Sequence, residues 1–199
     1  MNKELSTQLA GPAAQTSGLT GALPWLRPAG IVLAGSLFLA VCAHLSVPLW
    51  FTPVPLSLQP FGVLLLGLLL SPPLAVATVG AYLAEGAAGL PVFAPGPAGL
   101  AHLLGPTGGY LLAYPLAAFL ISRLWRRTNR SFSAALVSAS LGDLAILLCG
   151  ATWLAVIGHG SFWAALSLTV VPFLPGDALK VATAAGVAIS WQRLRRQKQ

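Results

Sequence analysis

Asp177 and Lys180 are the two side chains best placed to do chemistry in this sequence, because a carboxylate and an ammonium three positions apart share one face of a helix. They follow Pro175 and Gly176 inside a run of apolar residues long enough to enter a bilayer. A charge at membrane depth costs on the order of 3 kcal/mol or more, so each must face protein or a wet cavity. Two readings are open. The pair can simply neutralise itself, or it can hold a small ligand that offers an N–H donor together with an anionic or carbonyl acceptor. A Pro-Gly break and two opposite charges at one level favour ligand contact, since broken helices in membranes line protein cavities.

Few other residues compete for a chemical role. Gln59, after Thr52-Pro53-Val54-Pro55, is either a plain helix-start residue or a polar group at the level of the pair. Glu85 is either an interfacial carboxylate or a pocket residue, and the apolar segment after it, Gly89 to Gly99, can fold down as a lid. Asp143 reads as a helix-packing hydrogen bond. His44, His102 and His159 show no helical ligand spacing, so no metal site is expected. Cys42 and Cys149 sit inside apolar runs and read as packing residues. No nucleophile elbow, phosphate-cradling loop or H-E-x-x-H is present, so neither an enzyme nor ATP hydrolysis within this chain is expected, and no cofactor is called for.

The elements that must position these residues are apolar helices. Of the 199 residues 56% are hydrophobic and 8% charged, too few charges to cover a water-soluble surface. Six runs have the length of spanning helices, at about 29–49, 54–71, 73–90, 107–125, 132–158 and 163–191. Proline and glycine mark their junctions, and Pro172, Pro175 and Gly176 interrupt the sixth. The expectation is an all-α, polytopic membrane protein with six transmembrane helices. Residues 1–28 read as a flexible cytoplasmic tail, 29–191 as the transmembrane domain and 192–199 as a basic cytoplasmic tail.

Charge sets the orientation. The net charge of +7 comes from basic residues between apolar runs and in tails, the pattern of a topology signal rather than of a nucleic-acid face. Lys3 and Arg27, then Arg123, Arg126, Arg127 and Arg130, then Arg193, Arg195, Arg196 and Lys198 all fall on one side if both termini are cytoplasmic. Lys180 is the remaining one. It stands thirteen residues before Arg193, roughly 20 Å above the cytoplasmic end of its helix. In the first helix Gly30 and Ala34, and again Ser36 and Ala40, place small residues four apart, where a partner helix or a second copy can approach closely.

Four segments carry a resemblance: Phe51-Thr-Pro-Val-Pro-Leu-Ser-Leu-Gln59-Pro-Phe61, Gly86-Ala-Ala-Gly-Leu-Pro-Val-Phe-Ala94, Leu104-Gly-Pro-Thr-Gly-Gly-Tyr-Leu111 and Phe173-Leu-Pro-Gly-Asp-Ala-Leu-Lys180. Together, and in this order, they resemble the BioY family, the biotin-binding S components of energy-coupling factor (ECF) transporters. The resemblance implies six helices that capture biotin from outside, usually with a transmembrane coupling protein and two cytoplasmic ATPase subunits. It also implies a pocket built by the outer loops and the start of the last helix, where Asp177 and Lys180 match a P-G-D-x-x-K motif. The ureido ring is expected beside that pair, with Glu85, Gln59, Tyr82, Phe93 and Tyr110 around the ligand; pairing of Lys180 with the valerate carboxylate is the rival orientation. Another vitamin such as thiamine or riboflavin, or a non-catalytic structural subunit, are the alternatives. Where the family often carries glycines, Pro95 and Pro97 stiffen the lid.

Overall fold

The computed structural model describes residues 25–96, 98–158 and 161–197. Most of the expected N-terminal tail, with Lys3, His159 and Lys198, lies outside the described residues. Among those described, the chain is mostly helical, with helices α1 (Leu26–His44), α2 (Gln59–Leu69), α3 (Pro72–Ala87), α4 (Leu100–Leu104), α5 (Gly108–Arg126), α6 (Phe132–Ile157), α7 (Phe162–Thr169) and α8 (Leu174–Arg196).

Local sequence explains where each begins and ends. α2, α3 and α8 all carry proline in the first turn, where the missing N–H costs nothing. α6 is capped by Ser131, whose Oγ accepts from the Ala134 amide at 3.2 Å. Arginines close α5 and α8, where cations complement the helix dipole. Helix also extends past the expected tail boundaries, starting at Leu26 and running on to Arg196.

Three departures from the sequence expectation are physical. The first run, expected to 49, ends at His44, and the chain then forms a short antiparallel pair, β1 (Ser46–Val47) with β2 (Leu56–Ser57). The fold is therefore not purely helical, because Pro48, Pro53 and Pro55 forbid helix between the two strands. The second run yields only the 11 residues of α2, roughly 17 Å of helix against a hydrocarbon core of about 30 Å. The sixth run is two helices, α7 and α8, bent by 60° at the break. By length and composition α1 and α6 can cross a membrane, and the bent pair can make a third crossing.

α5 is the centre, packed on α6, α3 and α2, while α8 closes on α2 and α6. Glycine makes the α5–α6 contact close. A Cβ on Gly150 would collide with the Tyr110 ring, one on Gly109 with Trp153, and one on Gly142 with Ile121. Large apolar side chains face outward along the bundle, among them Leu33, Leu37 and Val41 on α1 and Leu141, Leu144 and Leu148 on α6. Such a surface belongs in lipid. Arg130, Arg193 and Arg196 gather at one end of the bundle around a shared groove.

Candidate functional site

Away from that arginine-rich end, the start of α8 brings Asp177 and Lys180 inward, and the sequence dictates how. Pro175 sits in the first turn of α8, where its missing N–H costs nothing, and Asp177 and Lys180, three residues apart just beyond it, lie on the buried face of the helix. Lys180 Nζ donates to Asp177 Oδ1 at 2.8 Å, and both residues are less than a tenth exposed.

The pair lines a partly open cavity with about 540 Å³ of space not filled by protein atoms, the solvent at its mouth included. Besides α8, six parts of the chain form its walls. The segment before α2 contributes Val54, Pro55 and Ser57, and α2 begins with Gln59 in the wall. The long connection supplies Ala94, His102 and Thr107. α5 turns Tyr110 and Tyr114 inward, α6 contributes Asp143, Ile146 and Leu147, and Phe173 stands just ahead of α8. Aromatic and aliphatic walls with a few convergent polar groups are the usual make-up of a small-molecule pocket.

Gln59, Tyr110, Asp177 and Lys180 thus come together. Tyr110 is held by its hydroxyl, which donates to the Thr169 carbonyl at 3.3 Å across the α7 end. Tyr82 stands behind the wall, where its hydroxyl accepts a hydrogen bond from Gln59 Nε2. Phe93 packs edge-on against Tyr82, ring centroids 5.4 Å apart, and lies 5.0 Å from His102. Tyr82 and Phe93 therefore stand behind the wall, Tyr82 holding Gln59 and Phe93 packing against both Tyr82 and His102.

Glu85 is not in the cavity wall. Its Oε1 accepts from Ser36 Oγ at 3.0 Å, joining α3 to α1. The same contact corrects the small-residue stripe: Ser36 and Ala40 are buried inside the chain, leaving only Gly30 and Ala34 on the exposed face of α1. Cys42 is buried, but Cys149, expected to be a packing residue, is exposed. Asp143 is corrected too. It is buried at 6% exposure in the wall of the cavity, not in a helix–helix hydrogen bond, and its Oδ1 has no partner among the described residues. Thr107 and Phe173 stand in two of the segments that carry the resemblance but are not singled out there, and Tyr114 carries no signal in the sequence beyond being aromatic in apolar surroundings.

Comparison with known proteins follows the same line. The model of the BioY family matches residues 13–197. A probable biotin transporter BioY of Pyrococcus horikoshii is 43% identical over 150 residues, covering 75% of this chain and 86% of the relative. The biotin transporter BioY of Thermotoga maritima is 37% identical over 169 residues, covering 85% of this chain and 96% of the relative. Among solved structures, the S-component for biotin from an ECF-type ABC transporter superposes with a TM-score of 0.76 at 30% identity, covering 85% of this chain and 91% of that one.

Proposed function

This chain belongs to the BioY family, a family of membrane transporters rather than enzymes, and we propose that it takes up biotin as the substrate-binding S component of an ECF-type transporter. The observation that carries the proposal is the cavity in which Asp177, Lys180 and Gln59 converge among aromatic and aliphatic walls. A fused bicycle with a polar urea at one end and an aliphatic tail suits such a cavity. In this reading the ureido ring sits beside Asp177 and Lys180 with N–H donation to the Asp177 carboxylate, while Tyr110, Tyr114 and Phe173 cover the apolar part of the bicycle. Lys180 retains protons to donate beyond its contact with Asp177.

The finer picture is part of the same proposal. Six helical stretches cross the cytoplasmic membrane of a prokaryote, with the bent α7–α8 pair as the last and both termini in the cytoplasm. The Lys and Arg count supports that orientation, because the α5–α6 loop and the end of α8 carry the cations. The cavity then faces outward, and a transmembrane coupling protein with two ATPase subunits engages the other half, with hydrolysis confined to those subunits. The exposed Gly30 and Ala34 on α1 are one place for the coupling protein to approach closely.

Isothermal titration of the detergent-purified chain with biotin tests the function. Saturable binding is expected, with no comparable binding of thiamine or riboflavin. No heat and no saturation with biotin would overturn the proposal, and tight binding of either other vitamin would transfer it to that ligand.

A further inference from the structure

Asp143 is the twelfth of the 26 residues of α6, near its middle, and it is buried on the cavity side. Its lining neighbours one turn on, Ile146 and Leu147, are apolar and offer no side-chain donor. Oδ1 has no hydrogen-bond partner among the described residues. Buried polar atoms without partners are rare, and each needs an explanation. Thr78 Oγ1 is the other such atom among the described residues, but it stands where α3 packs against Gly35 of α1 and is not in the cavity wall. Asp143 therefore differs from it in facing a space that another molecule can enter.

We propose that Asp143 is a ligand-binding residue that accepts a hydrogen bond from an N–H group in the cavity, and so determines specificity for a cyclic urea. The inference rests on the biotin reading and deepens it. A cyclic urea presents two N–H donors on either side of one carbonyl. The cavity holds two carboxyl groups, Asp143 and Asp177, and one ammonium, Lys180. Each N–H then meets one carboxyl group, and the carbonyl meets Lys180. Asp177 is already engaged by Lys180 at 2.8 Å, whereas Asp143 Oδ1 receives no donor from the described residues, so the ligand supplies it.

A ligand role and a packing role predict opposite effects on stability. Removing a group that pairs with the protein lowers the melting temperature, while removing an orphaned buried group leaves it unchanged or raises it. The test is Asp143→Leu in the full chain, purified in detergent and titrated with biotin and with biotin methylated at either ureido nitrogen. The wild type should lose at least tenfold in affinity on methylation of each nitrogen. Asp143→Leu should melt no lower than the wild type, bind biotin at least tenfold more weakly, and become indifferent to methylation at one nitrogen while staying sensitive at the other. If the leucine variant does not yield monodisperse protein, Asp143→Ala, which only removes atoms, is read in the same way. Wild-type affinity for biotin in the variant, a lowered melting temperature, or unchanged sensitivity to both methylations would overturn the assignment while leaving the biotin reading intact. No biotin binding by the wild type would overturn that reading and this assignment with it.

Discussion

An ammonium carries three protons and a carboxylate about four lone-pair sites, so the single 2.8 Å contact between Lys180 and Asp177 leaves both groups with unused capacity. Removing either partner strands the other as a buried charge, which costs about 3 kcal/mol or roughly a hundredfold in affinity when the ligand depends on the pair. Asp177→Asn and Lys180→Ala are each expected to abolish tight biotin binding in titration calorimetry; wild-type affinity in both would remove the pair from the site. These two residues were legible in the sequence because charge inside an apolar run has few structural excuses. Asp143 is visible for the same reason, but the sequence alone reads as packing there. α6 is built mostly of apolar residues with small hydroxyls scattered around it, so no periodicity shows which face meets the cavity. Glu85 failed in the other direction. A carboxylate near a lid suggested a pocket, and only the fold reveals that Ser36, 49 positions earlier, already donates to it.

At the level of elements, glycine decides how closely the walls approach. Tyr110 lies in the cavity wall and against Gly150 at once, so Gly150→Ala pushes α5 from α6 and shifts a wall residue together. Overpacking of this kind costs about 1–3 kcal/mol, and both the melting temperature and the biotin affinity should fall. Gly80 in α3 is the contrasting case, because a Cβ there meets nothing within 4 Å. Gly80→Ala should raise stability by about 0.5–1 kcal/mol through helix propensity and leave affinity unchanged, as thermal melting and titration of one preparation would reveal. Helix existence was readable from apolar runs, and the break in the last run from Pro172, Pro175 and Gly176. Helix length was less so: the run at 54–71 counted residues that Pro55 and the β pairing of Leu56 and Ser57 keep out of α2.

For the whole molecule, the arginine-bearing groove and the cavity lie on different parts of the bundle, and the proposed topology puts them on opposite sides of the membrane. Single cysteines at Asn129 and Leu90 test this on a background lacking Cys42 and Cys149. A membrane-impermeant maleimide should label Leu90→Cys from outside intact cells and Asn129→Cys only after the cytoplasmic face is opened; the reverse pattern would invert the chain. The cavity wall itself is held in two different ways. Ala94 and His102 belong to the connection that Phe93 anchors, and the Phe93 ring sits so closely over Gly86 that a Cβ there would collide with it. The two sides of the cavity are therefore held by different forces: the Ala94 and His102 side by the packing of one aromatic ring, the Asp177 and Lys180 side by an ion pair, so salt and pH act on the second and leave the first in place.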